Sequence, residues 1–256
     1  RTLLKAELRA IATLAPGRYV LGGTSLLALW EPPTPPETLE SEGAEAMALV
    51  PLGADRFLVA RSEGPGIGDR NALHVWEATP SGGWTRRSPV APLREKPFSL
   101  AVGPRGGRVA VGTGLGNVEL RSARDPAKVL RRLVSPHLPP GLRGAHGGRV
   151  VGLAFGRRGR ILYSCAGSRR GSGAGRPGNS EVCAWDAASG ELLARHVFSG
   201  TETFFAQGMQ LFGPHDELIL VDLTRPPNAA PGDPARDGRR LELWWREALL
   251  PELRAR

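Results

Sequence analysis

Short apolar runs of five to eight residues alternate along this chain with turns rich in Gly, Asp and Arg, the pattern of β-strands joined by tight connections. The runs recur in a fixed order. An apolar strand is followed by a turn, a second apolar strand, a loop, and a third strand that closes on Trp or a residue in its place. The clearest copy reads HGGRVVGLAF, GRRGR, ILYSCAG and, after a loop, EVCAWDAASGELLARH. The other copies are IATLAPGRYVLGGTSLLALW, MALVPLGADRFLVA with ALHVW, FSLAVGPRGGRVAVGTGLGNVELR, and MQLFGPHDELILVDL with RRLELWW. The units cover approximately 9–45, 46–90, 97–134, 146–198 and 203–250. Their closing anchors are Trp30, Trp76, Arg121, Trp185 and Trp244, spaced 46, 45, 64 and 59 residues apart. The underlying period is therefore about 45, with insertions in the last two units.

Runs such as Val150 to Phe155 and Leu218 to Val221 are almost continuously apolar, as expected for strands covered on both faces. Three or four short antiparallel strands at this period predict an all-β fold, a β-propeller of four-stranded antiparallel blades. The first segment has a competing reading. Leu3, Leu4, Leu8 and Ile11 have helical spacing, and Pro16 would end such a helix. A strand pair is preferred, because PGRYVLGG follows as the turn and second strand do elsewhere. Thr2 to Leu8 is then the outermost strand of another blade.

Within the fourth unit the residues resemble a WD-repeat, best over 146–198. His146 opens the unit, Val150 and Phe155 occupy its apolar positions, and Trp185 with Asp186 closes the third strand. Ala187, Ser189 and Gly190 match the small-residue turn into the outer strand. The resemblance implies a buried hydrogen-bond network among His146, Ser164 and Trp185. The family places an Asp of that network in the turn between strands two and three. An insertion stands there in this chain, with Asn179 the nearest polar candidate. The anchors Trp30, Trp76 and Trp244 are read as packing residues between blades. The resemblance also implies a ring, most often of seven blades. Either Thr2 to Leu8 completes the fifth unit and closes a small ring, or blades precede Arg1. The leading Arg and the orphan strand favour a piece of a larger ring and of a longer parent chain.

In such a blade, the loop between strands two and three shares an end with the loop leading into the next blade. The long segments 62–71, 135–146, 166–180 and 224–239 all fall there, which marks that end as the candidate binding surface. The loop GSRRGSGAGRPGNSE carries Arg169, Arg170 and Arg176, and the Pro-rich loop after Thr224 ends in Arg239 and Arg240. These five arginines are the candidate partner-binding residues, since a guanidinium fork suits carboxylate and phosphate.

Charge sharpens this picture. The chain of 256 residues has a net charge of +9. Residues 121–180 hold thirteen basic residues and one acid, Asp125, for a net of +12, so the remainder is net −3. A lopsided basic sector is expected to dock an acidic protein or peptide, or another domain of the parent chain. The alternative is a nucleic-acid or phosphate-binding propeller, weakened by an aromatic content of 6%. The segment EPPTPPETLESEGAE, with five glutamates and no basic residue, reads as a solvated acidic connection.

Catalytic and metal motifs were sought and none was found. The five histidines are scattered, and no GxSxG, Walker loop or Cys-rich metal motif occurs. GTGLGN at 112–117 lies between two strands and reads as a hairpin. Cys165 and Cys183, on adjacent strands, read as reduced core residues that could be cross-strand neighbours. No apolar run reaches membrane-spanning length and no signal peptide is visible. The expectation is a cytoplasmic, non-catalytic interaction scaffold without cofactor or metal. A propeller enzyme with a site at the channel mouth is the less favoured alternative.

Overall fold

The computed structural model describes residues 7–40, 45–62, 71–87, 91–138, 144–167, 180–198, 205–212, 218–224, 239–245 and 250. Among these the chain is all β, with no helix. Twenty strands form five antiparallel sheets, each built from strands consecutive in sequence. The first sheet is β1 (Leu8–Ala15), β2 (Arg18–Gly23), β3 (Leu26–Trp30) and β4 (Glu37–Glu40). The second is β5 (Glu45–Gly53), β6 (Arg56–Ser62), β7 (Asn71–Ala78) and β8 (Trp84–Arg86), with β9 (Ala91–Leu93) also on β7. The third is β10 (Pro97–Val102), β11 (Arg108–Thr113), β12 (Val118–Ser122) and β13 (Val129–Leu133). The fourth is β14 (Arg149–Phe155), β15 (Ile161–Gly167), β16 (Ser180–Asp186) and β17 (Leu192–Phe198). The fifth is β18 (Phe205–Phe212), β19 (Leu218–Thr224) and β20 (Arg239–Trp245).

The strand reading of Ile11 to Gly23 prevails over the helical one, since β1 and β2 pair around a turn at Gly17. The proposed extra strand lies outside the described residues over Thr2 to Ala6, and Leu8 begins β1. In the second sheet the fourth position is shared by two three-residue strands. β8 pairs with the end of β7, and β9 with its beginning. Pro89 and Pro92 lie in this stretch, and proline cannot donate to a strand ladder.

The five anchors share one register. Trp30 pairs with Tyr19, Trp76 with Phe57, Arg121 with Val109, Trp185 with Leu162 and Trp244 with Ile219. Each partner is the second residue of its sheet's second strand.

The sheets stack face to face, with β1 against β5, β5 against β10, β10 against β14 and β14 against β18. Each junction buries its own core. The first joins Leu14, Val20, Leu27 and Leu29 to Leu49, Phe57, Val59 and Trp76. The second joins Leu58, Leu73 and Val75 to Leu100, Val109 and Val111. The third joins Val118, Leu120 and Leu133 to Val150, Leu162 and Trp185. The fourth joins Tyr163, Cys165 and Val182 to Met209, Ile219 and Leu250. An inner sheet thus buries both faces, which is why its strands are apolar without alternation. On the opposite face of β1, Leu8 is 54% and Ile11 63% exposed, and among the described residues no sheet packs there.

Contacts at both ends give the first four sheets a common orientation. At the end where first strands begin, Glu45 accepts ion pairs from Arg9 and Lys96, each at 2.7 Å. There Ser99 Oγ also donates to Val150 O at 2.9 Å, and Ala145 and His146 N–H donate to Gly116 O. At the other end, Arg108 Nη1 donates to Ala187 O at 2.7 Å, and Pro104 lies beside Gly159. Among the described residues no helix is long and apolar enough to cross a membrane.

Candidate functional site

The fourth sheet holds a buried polar relay. His146 precedes β14, Ser164 lies on β15, Glu181 and Trp185 on β16, and Arg195 on β17. Trp185 Nε1 donates to Ser164 Oγ at 2.7 Å, and Ser164 Oγ lies 2.6 Å from His146 Nε2. His146 Nδ1 lies 2.7 Å from Glu181 Oε1, and Arg195 Nε donates to Glu181 Oε2 at 2.7 Å. One assignment of protons satisfies every member. Ser164 Oγ accepts from the indole, which can only donate; with Nδ1–H donated to an ionised Glu181, a neutral ring offers Nε2 as acceptor for the Ser164 hydroxyl. Burial pushes the Glu181 carboxyl up, but hydrogen bonds from His146 and Arg195 outweigh it and hold the carboxyl below its usual range.

The sequence reading brought His146, Ser164 and Trp185 together, and they do meet. It looked for the carboxylate in the turn, near Asn179, which lies outside the described residues. The structure supplies it as Glu181, the second residue of the third strand. The available signal is a charge at the start of the apolar run Val182 to Trp185 in SEVCAWD, inside the strand and not in its closing turn, because a charge among buried neighbours needs a partner.

Ser164, His146 and Glu181 are spaced like a nucleophile, base and orienting carboxylate. Ser164 is 0% exposed, however, and Trp185 already engages its oxygen. The trio therefore ties strands together and presents no nucleophile. His146, Glu181 and Cys183 also place one donor atom each within 4.8 Å of one another. A metal there would have to part the Nδ1–Oε1 hydrogen bond. It would also have to deprotonate a thiol that burial pushes well up. The donor set fits the relay better than an ion.

Cys165 and Cys183 are free, buried and not cross-strand partners. Cys165 is in register with Val182, and Cys183 with Ser164. One residue of offset puts the two thiols on opposite faces of the sheet, one in the fourth-junction core and the other in the third.

Asp186, read from the sequence as closing the third strand with Trp185, also holds the turn into the outer strand. Its Oδ1 accepts from Ala188 and Ser189 N–H at 2.8 Å, and Gly190 closes the turn at φ 77°. The backbone hydrogen bond from Ser189, joined by those from Ala188, the Ser189 side chain and Arg160, holds this carboxyl below its usual range against the opposing effect of burial. Phe155 packs against the third-junction core. Trp76 stacks on Phe57 at 6.2 Å, and Trp30 donates to Thr34 O at 3.1 Å. Arg121, at the Trp position, is buried and donates to Glu119 and to Pro126 O.

Arg169, Arg170 and Arg176 lie outside the described residues. Arg239 and Arg240 are the first residues of β20, in register with Thr224 and Leu223. Ser62 and Gly167, the last residues before the insertions of the second and fourth sheets, lie at the end where first strands begin. GTGLGN forms the β11–β12 turn, with Gly116 at φ 86°. Part of the basic sector is neutralised within the fold. Arg121 and Arg132 pair with Glu119, Arg160 with Asp186, and the Arg149 guanidinium stacks 3.9 Å from the Phe98 ring centre.

The acidic connection is not simply solvated, because three of its glutamates clamp strands. Glu31 pairs with Arg18, Glu40 with Arg61 and Arg86, and Glu45 with Arg9 and Lys96.

The chain matches no protein-family model, and no curated protein matches it in sequence.

Proposed function

We propose that the five sheets are blades of a WD-like β-propeller and that the protein is a non-catalytic scaffold. It binds a protein or peptide through the long segments at the end where first strands begin. The observation that carries this reading is the common orientation of the first four sheets. The described residues that flank the long segments, Ser62 and Asn71, Ser135 and Gly144, and Gly167 and Ser180, share one end of the stack. A rigid frame presenting several long loops together is the usual architecture of a binding surface. Arg169, Arg170, Arg176, Arg239 and Arg240 favour an acidic partner. The relay supports the WD-like reading, since it joins the residues that the resemblance selects. Two buried thiols held protonated suit a reducing, cytoplasmic setting.

The test replaces 168–179 with a Gly/Ser linker of equal length and compares quantitative affinity capture with the parent chain. Loss of acidic partners is expected. An unchanged partner set removes the arginine segment from the account.

A further inference from the structure

The outer strand of the third sheet differs from the others. Six large hydrophobic side chains are exposed among the described residues, and three of them cluster here: Val129 at 37%, Leu130 at 43% and Val134 at 56%. The other outer strands are blunted in recognisable ways. Strand β4 carries Glu37 and Glu40 in four residues. The outer position of the second sheet is broken into two three-residue strands, one containing Pro92. No side chain of β17 is exposed. Among the described residues β13 pairs with β12 alone, as β4 does with β3 and β17 with β16, and an irregularity leaves Leu130 without a partner in that register.

This edge is also cationic. Arg124, Lys128, Arg131 and Arg132 are exposed along it, against one acid, Asp125. Arg132 is tied to Glu119, whereas no ion pair engages Arg124, Lys128 or Arg131 among the described residues. Like charges oppose the same edge of a second copy, and they favour an acidic strand. A free edge offers backbone hydrogen bonds, and exposed apolar side chains offer anchors.

We propose that β13 docks an extended acidic segment of another protein, with acidic and apolar residues in alternation, added to the third sheet's free edge. Val134 adjoins the segment 135–146 at the insertion-bearing end, but none of β13 falls within 168–179, so exchanging 168–179 leaves the residues of this edge unchanged.

The probe is a fluorescein-labelled peptide, (Glu-Val)5, titrated into the full chain and read by anisotropy, with amide hydrogen exchange over 129–134. Binding is expected to weaken as salt rises and to slow exchange in that stretch. The doubly substituted Leu130→Asp, Val134→Asp chain changes only exposed side chains, and at least tenfold weaker binding is expected from it. Equal binding of (Lys-Val)5, unchanged binding by the double variant, or unchanged exchange over 129–134 would each overturn the proposal. So would dimerisation of the parent chain that the double variant abolishes, since a second copy would then be the occupant.

Discussion

Ser164 occupies a position that the common register repeats five times, and the equivalents are Leu21, Val59, Val111 and Val221. It is the polar exception. Ser164→Ala would strand the Trp185 indole N–H and the His146 Nε2 in a dry interior. At about 1–3 kcal/mol for each of the two unsatisfied groups, a loss of roughly 2–6 kcal/mol is expected in urea unfolding. The second sheet shows the converse, because the Trp76 indole nitrogen is buried without a hydrogen-bond partner among the described residues. Trp76→Phe is therefore expected to cost less than Trp185→Phe, as the same unfolding experiment would show. His74 adds a pH dependence. Burial, then the charges of Arg61 and Arg86, lower its pKa from 6.5 to about 4, against an opposing contribution from Glu40. The unfolded chain takes up this proton first, so the stability is complete above pH 6.5 and is lost as pH falls toward 4. His74→Leu should flatten the stability profile over that window, and an unchanged slope would assign the titration elsewhere.

Strand pairs and anchors were legible because turn chemistry and apolar runs are local, and the period repeats them five times. The anchor reading even placed Arg121 correctly without a Trp to mark it. What stayed hidden depends on neighbours distant in sequence. A Trp–acid dipeptide closes three third strands, at Trp30–Glu31, Trp76–Glu77 and Trp185–Asp186. In each case the acid meets an Arg at the start of the second strand or just before it: Arg18, Arg56 or Arg160. The fourth-unit dipeptide alone matches the Trp-Asp pattern, because the other two carry Glu instead of Asp. The roles of Glu40 and Glu45 were hidden for the same reason, since their partners lie on other sheets or strands. Turns also hold one sheet to the next. A Cβ on Gly116, at φ 86°, would sit 2.0 Å from His146 O, whereas Gly106, at φ 63°, faces open space. Gly106→Ala should cost about 1–2 kcal/mol from backbone strain alone. Gly116→Ala should cost clearly more, because the backbone leading into the fourth sheet must also shift. Paired melting curves would check the order.

At the scale of the molecule, the sheets are joined in series, each sharing a core with the next, and ion pairs bridge three of them at Glu45. Such a stack need not lose its order all at once, because local openings range from fraying edges to global unfolding. The relay bears directly on this. It links the segment before β14 with β15, β16 and β17, so the outer strand cannot peel away without stripping Arg195 from a buried carboxylate. The carboxylate is buried while Arg195 is 31% exposed, so losing this contact costs less than the roughly 3–5 kcal/mol of a fully buried pair but still leaves Glu181 short of one partner. The fourth sheet should therefore open as one block. In native-state hydrogen exchange, β17 should share the slow protection of β15 and β16, while β4 and β13 exchange early by fraying. Arg195→Gln should release β17 into the early class. The polar interior of this sheet then acts as a latch on folding cooperativity: it decides how much of the molecule must come apart before any of that sheet does.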